Sequence, residues 1–248
     1  MSDWYSYDWE VQGQTARFTV DLEYAEKFDV MGDHTTLLYV TCTPVTDKTI
    51  DFSPRERKRL DALLKSCISL FGSQAVYVGH IDMPSQRRFY FYTADERLLA
   101  PLFEWCGKEQ VLSLECAKVS EPHRQSYYRM LYPDKAKRQS NDNHAYIASL
   151  KKRGDDPSAY RRCNFHLYFP DIQARDAFVL RAKEAGFALG KADYIAEQEK
   201  PHYVSMHAVS AMNWKDITHL TTAVIRIAED YEGSFDHFDS AFVAKRKW

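Results

Sequence analysis

The chain has 248 residues, 45% of them hydrophobic, which is enough apolar material for one large core or two ordinary ones and too much for a disordered segment. Its 33 Lys and Arg stand against 35 Asp and Glu for a net charge of −2, a balance that argues against a dedicated nucleic-acid binder and leaves room only for a local basic patch. No apolar run approaches the ~20 residues of a membrane span, and the stretch Met1 to Trp9 lacks the basic and apolar regions of a signal peptide.

Trp4 to Val11 and Gln14 to Tyr24 read as a hairpin around Gly13. In its second strand Ala16, Phe18, Val20, Leu22 and Tyr24 alternate with polar residues, so one face is buried. Lys27 to His34 reads as a loop, and Thr36 to Thr43 as a buried strand ended by Pro44. Ser53-Pro54-Arg55-Glu56 is a capping box with proline at the first helical position. The helix it opens has Leu60, Leu63, Leu64, Cys67, Ile68 and Phe71 on its inner face and ends at Gly72.

Ala75 to Met83 and Arg87 to Tyr92 follow as two strands joined by Pro84-Ser85-Gln86. Thr93-Ala94-Asp95-Glu96 reads as a second capping box, with Leu98, Leu99, Leu102, Phe103 and Cys106 at helical spacing behind it. Pro101 removes a donor and clashes one turn back, so a kink or a restarted helix is expected there. Val111 to Val119 is a further strand. The order from Thr36 is strand, helix, strand, strand, helix, strand, the ferredoxin-like split βαβ plan.

Ser120 to Asp156 interrupts the pattern. It is rich in Arg and Lys with few acids, carries Tyr127, Tyr128 and Tyr132, and reads as a linker whose last helix spans Asn143 to Arg153. The second half repeats the plan without a visible sequence repeat: strand Cys163–Phe169, helix Asp171–Ala185, strand Phe187–Tyr194, strand His202–Val209, helix Asn213–Asp230. Gly233 to Ser240 reads as a loop and Ala241-Phe242-Val243 as a short final strand.

The residues also resemble known bacterial families. Trp4 and Trp9, Val76-Tyr77-Val78-Gly79, the strand Arg87 to Tyr92, and Tyr127 to Pro133 are similar to the domain family of unknown function number 695. Ala174-Arg175-Asp176-Ala177-Phe178, Ala185-Gly186-Phe187 and the final helix running into Tyr231-Glu232-Gly233 resemble the RraB-like family, regulators of ribonuclease E activity. The second resemblance implies a protein that binds a large ribonuclease and inhibits or redirects it without catalysis. Members of that family look strongly acidic, whereas residues 155–248 here are close to balanced. Small bacterial α+β proteins of such families also include immunity proteins that neutralise toxins.

No catalytic motif is visible. There is no G-x-S-x-G elbow and no phosphate-binding glycine loop. The five cysteines, Cys42, Cys67, Cys106, Cys116 and Cys163, are scattered and form no C-x-x-C, so free thiols in a reducing cytoplasm are expected rather than disulfides or a zinc site. Among nine histidines, His166 and His207 can meet across neighbouring strands, but spacing places no third ligand beside them. Asp236, His237 and Asp239 resemble neither a calcium loop nor a catalytic group.

Two groups of residues are candidate partner-binding positions. Arg88, Tyr90 and Tyr92 share one strand face, opposite Phe89 and Phe91, where they form an outer or interdomain face or anchor a base or a protein. Arg124, Tyr127, Tyr128, Lys137 and Arg138 lie in the basic stretch, as a docked connector or a site for an anionic partner. The sequence thus predicts a cytoplasmic α+β protein of two ferredoxin-like domains, antiparallel sheets with helices on one face: 1–135, a basic helical connector at 136–154, and 155–248. Its expected role is non-catalytic binding of a protein, a nuclease or a toxin. RNA or single-stranded nucleic acid is the alternative partner, and no cofactor, metal or membrane is called for.

Overall fold

The computed structural model describes residues 2–47 and 50–245. The chain divides into two compact units, residues 1–133 and 134–248. Each combines helices with one antiparallel sheet. Among the described residues, no helix is long and apolar enough to cross a membrane.

In the first unit β1 (Trp4–Val11) and β2 (Gln14–Asp21) form the expected hairpin, turning through Gln12 and Gly13 at φ of 51° and 80°, the left-handed pair a two-residue turn requires. The strand ends earlier than its alternation suggests. The Asp21 carboxylate accepts the backbone N–H of Asp3 and of Glu23, and the chain turns into α1 (Tyr24–Val30) where a loop was expected. Phe28 anchors this helix, its ring edge-on to Tyr92 and Tyr127.

Next come β3 (Thr36–Pro44), α2 (Pro54–Phe71), β4 (Ala75–Met83), β5 (Gln86–Thr93), α3 (Leu99–Gly107) and β6 (Leu112–Ser120). The Ser53/Glu56 capping box is present in both directions. The second box is not. Thr93 ends β5, its hydroxyl donating to Gln74 O, and Asp95 caps a single 3-10 turn, Glu96–Leu98. The α-helix then starts at Leu99, so Pro101 falls in the first turn, where its missing N–H would be unpaired anyway.

The sheet order is β1-β2-β4-β5-β3-β6. Both of its faces are covered. Leu38, Val40, Cys42, Phe89 and Phe91 pack under Leu60, Leu63, Cys67 and Phe71 of α2 and Leu102 and Cys106 of α3. On the other face Tyr7, Phe18, Val20, Leu37, Tyr90 and Tyr92 pack under Phe28 and under Tyr127 and Leu131 of a short π-helix, Ser126–Leu131.

The second unit contains α4 (Lys135–Lys152), β7 (Arg161–Phe169), α5 (Ile172–Glu184), β8 (Ala188–Tyr194), β9 (His202–Ser210), α6 (Trp214–Glu229) and β10 (Ser234–Ser240), with sheet order β10-β7-β9-β8. The segment expected as a basic connector is α4. It begins well before Asn143 because Asp134 caps it, accepting Lys137 N at 2.8 Å. Its basic residues mask a buried stripe, Ala136, Ser140, Asn143, Ile147 and Leu150, and the Asn143 amide donates to Thr218 and Thr221 of α6 at 3.1 and 2.9 Å. This helix is therefore packed into the second unit.

The expected loop at Gly233 to Ser240 is the strand β10, antiparallel to β7. Its sequence hides the strand because the ladder slips between Phe235 and His237. With Asp236 as the extra residue, Phe235 and Phe238 both pack against the core despite odd spacing. Beneath the sheet lie Cys163, Phe165, Leu167, Phe169, Val204 and Met206, closed by Phe178 of α5, Ile217 and Val224 of α6 and Ile147 of α4.

Candidate functional site

The structure separates the eight candidate partner-binding residues by burial. Tyr90 and Tyr92 are 3% and 0% exposed, because α1 and the π-helix cover the face on which they lie. Burial pushes the Tyr90 hydroxyl up to about 12. Tyr92 donates to Glu121 Oε2 at 2.5 Å, and its oxygen accepts Tyr127 N. Tyr127 is also fully buried, donating to Asp21 O at 2.8 Å.

Arg124 is a buried clamp rather than a free cation. Its guanidinium donates to the carbonyls of His34, Met31 and Gly32 and lies 4.6 Å from the Phe28 ring centroid. Lys137 is buried in α4, and desolvation pulls its ammonium below the usual lysine range. The expected shared aromatic and arginine face is thus corrected to core packing: alternation put Phe89 and Phe91 inside, and tertiary layers put Tyr90 and Tyr92 inside as well. Arg88 and Arg138 are half-buried, Arg88 donating to Thr41 Oγ1 at 2.8 Å over the Tyr39 ring. Tyr128 is the one of the eight that is exposed, with its hydroxyl on Ala25 O.

Polar side chains converge instead on the second sheet, on the face opposite its core. Alternation along β7 sends Asn164, His166 and Tyr168 to this face while Cys163, Phe165, Leu167 and Phe169 go inward. The ladder sets Tyr203, Ser205 and His207 of β9 beside them, with His166 opposite Ser205 and Asn164 opposite His207. His166 and His207 are therefore diagonal neighbours. On the other side of β7, the bulge in β10 brings His237 opposite His166 and Asp239 opposite Asn164.

The result is a connected cluster. His166 Nε2 lies 2.7 Å from Asp239 Oδ2 and its Nδ1 lies 2.6 Å from the Tyr203 hydroxyl. Asn164 Nδ2 donates to Asp239 Oδ1 at 2.8 Å, and His237 Nδ1 pairs with Asp236 Oδ2 at 2.8 Å. The His166 and His237 rings stack with centroids 4.3 Å apart. Burial works to raise the Asp239 carboxyl, but the hydrogen bonds from Asn164 and His166 outweigh it and hold it below the usual carboxylate range. Desolvation, helped by Arg162, lowers His207, whose buried Nδ1 has no hydrogen-bond partner among the described residues.

Sequence reasoning missed this cluster because its members are far apart in the chain and one of them sits behind a bulge. The outward position of His166 was readable from β7; the partners His237 and Asp239 were not, since Phe235 and Phe238 break the two-residue period. Chemically the face offers imidazole, carboxylate, amide and phenol groups around two ring pairs, Tyr168 tilted against Tyr203 and His166 stacked on His237.

Comparison with known proteins adds the family. The family model RraB, regulator of ribonuclease activity B, matches residues 140–240, a span that takes in most of α4 and the whole second sheet. No curated protein matches the chain. Among solved structures, the crystal structure of an unknown protein from Galdieria sulphuraria aligns with 84% of this chain and 98% of its own at 10% identity, with a TM-score of 0.23. The family of unknown function DUF695 matches residues 2–132. That span is more than half of the 248 residues and contains the whole first sheet with the helices covering both its faces, so the protein belongs to the DUF695 family.

Proposed function

We propose that this protein is a non-catalytic, protein-binding regulator of a ribonuclease, built from two ferredoxin-like domains and working in a reducing cytoplasm. The observation that carries the reading is the match of residues 140–240 to regulator of ribonuclease activity B. The strand orders support the fold assignment: β6-β3-β5-β4 in the first unit and β10-β7-β9-β8 in the second are the same fourth-first-third-second order of a β-α-β-β-α-β chain. The five free cysteines suit the compartment.

In this reading the target protein docks on the open face of the second sheet. Aromatic groups there, Tyr168 and Tyr203, are rigid anchors of the kind that dominate binding energy, and the surrounding imidazole and amide groups supply hydrogen bonds. The helices α4, α5 and α6 pack on the core side of the sheet and leave this face to a partner. Regulation then follows from occupying a ribonuclease surface, with no bond made or broken by this chain.

The test is a tagged pull-down from the native host, with nuclease-treated and untreated lysates side by side. A ribonuclease retained in stoichiometric amount after nuclease treatment, and lost on Tyr168→Ala plus Tyr203→Ala, supports the reading. Recovery of a ribonuclease only while nucleic acid is intact overturns it in favour of an RNA-binding module. An RNA-cleavage assay with the captured enzyme then reads inhibition directly, and cleavage by this chain alone would contradict the non-catalytic role.

A further inference from the structure

The cluster on β7 and β10 has the composition and the outer contacts of a metal site. We propose that His166, His237 and Asp239 bind one borderline divalent transition-metal ion of the zinc(II) class. One donor atom from each of the three lies within 4.8 Å of the other two. A four-coordinate ion with bonds of about 2.0–2.2 Å separates its ligands by roughly 3.4 Å, so the three donors are within reach of one ion once the His237 ring, exposed at the sheet edge, turns out of its stack on His166. His166 Nε2 and Asp239 Oδ2 lie 2.7 Å apart; for the ion to take its place between them the single ring proton of neutral His166 sits on Nδ1, where the Tyr203 oxygen accepts it.

Each ligand is held from behind. The Tyr203 hydroxyl sits on Nδ1 of His166, which leaves Nε2 as the metal-facing nitrogen. The Asp236 carboxylate sits on Nδ1 of His237 and fixes the tautomer with the lone pair on Nε2. The Asn164 amide holds Oδ1 of Asp239 and leaves Oδ2 for the ion. Such outer partners orient imidazole and carboxylate ligands in metal sites generally. A hydrogen-bonded surface cluster has no need of all three.

Two imidazoles and one carboxylate suit zinc, nickel, copper or ferrous iron, and discriminate against magnesium and calcium, which prefer all-oxygen sites. The strands supply three ligands, and His237 and Asp239 are about half exposed, so the remaining coordination position faces outward. Water fills it in the free protein, and a side chain of a bound protein can replace that water. The metal site stands independently of the ribonuclease reading.

The test uses the full chain, free of any histidine tag and stripped with chelator. Zinc(II) is titrated calorimetrically and cobalt(II) by its visible absorption, with magnesium as comparison. The expected result is one ion per chain, a cobalt spectrum of low-symmetry coordination with nitrogen ligands, and no heat from magnesium. His166→Ala, His237→Ala and Asp239→Asn each weaken zinc binding by more than about 100-fold, and Tyr203→Phe by about 10–100-fold. His219→Ala, on the exposed side of α6, leaves it unchanged. Circular dichroism of each metal-free variant checks that the sheet is intact. Should a variant not fold, imidazole proton shifts of His166 and His237 on adding zinc to the wild-type chain decide the matter. Binding that survives all three ligand substitutions, a magnesium response equal to that of zinc, or unshifted His166 and His237 resonances would overturn the proposal.

Discussion

Asp155 and Arg161 form an ion pair at 2.6 Å in which neither side chain is more than 3% exposed. Arg161 Nη1 also donates to Ala241 O at 3.0 Å and its Nη2 to Asp156 O, while Asp155 Oδ2 accepts Val243 N at 2.9 Å. The pair thus ties the approach to β7 to the segment that leaves β10. Removing one partner leaves the other buried and uncompensated. Arg161→Ala is expected to destabilise the second unit by about 3–5 kcal/mol, read as a lowered urea midpoint with an unchanged slope.

The same pair sets an acid limit. Burial works to raise the Asp155 carboxyl, and the Arg161 guanidinium and Val243 N–H outweigh it and hold it below the usual carboxylate range. A carboxyl with a depressed folded pKa contributes stability that is complete above its unfolded value of about 3.9 and is lost as pH falls through the folded value. Urea midpoints of the wild type should therefore fall as pH drops below about 4. The Asp155→Asn variant should start lower and show a shallower acid limb, because that carboxyl no longer titrates.

Tyr92 and Glu121 meet in the interior of the first unit, where Glu121 also accepts the Ser126 N–H and hydroxyl at 3.0 and 2.6 Å. Tyr92→Phe removes the hydrogen bond to the Glu121 carboxylate and takes the acceptor from the Tyr127 N–H, and should cost about 1.5–3 kcal/mol. Tyr92→Ala also empties an aromatic site and should cost about 3–5 kcal/mol. Both effects belong to folding. Thermal denaturation should shift for these variants, while a ribonuclease captured through the second sheet should bind each folded variant as it binds wild type.

Gly79 sits where β4 slips against β5, at φ of 152°, and an added Cβ would lie 2.3 Å from the Thr19 carbonyl oxygen of β2. Neither the backbone angle nor the neighbouring strand accommodates a side chain. Gly79→Ala is expected to destabilise the first unit by at least about 1–3 kcal/mol, visible as a lower urea midpoint. The second unit's hydrogen-exchange protection should be unchanged, since the two units have separate cores.

Asn143 is fully buried in α4, donating to Thr218 and Thr221 and accepting from Gln139 at 3.0 Å. Thr221 keeps its own bond to Ile217 O, so Asn143→Ala chiefly strips Thr218 and Gln139 of partners. A loss of about 1–3 kcal/mol is expected. Pairing Asn143→Ala with Thr218→Val in a double-mutant cycle should show a coupling of opposite sign to the single losses, because the second substitution removes the group left unpaired.

The sequence by itself determined most of the regular elements and their order, but not α1, the start of α4 or β10. Capping at Ser53, alternation along β2 and the helical stripe in α2 are local signals, and each is present in the structure. Local signals failed where a tertiary contact outvoted them. Tyr24 continued an alternating pattern yet entered a helix, because Phe28 finds a pocket against Tyr92 and Tyr127. The basic surface of α4 made it look like a connector, while its buried stripe is spaced for packing on α6.

Only the tertiary structure decided which faces stay open. One strand's pattern says that Phe89 and Tyr90 lie on opposite faces; it does not say that a second layer, α1 with the π-helix, covers the tyrosine side. Nor does it say that a bulge at Asp236 returns His237 and Asp239 to the side of His166. Burial of a sheet face and assembly of a site from distant strands depend on layers and register. Those are properties of contacts between segments, and a residue's local neighbours in the chain carry no record of them.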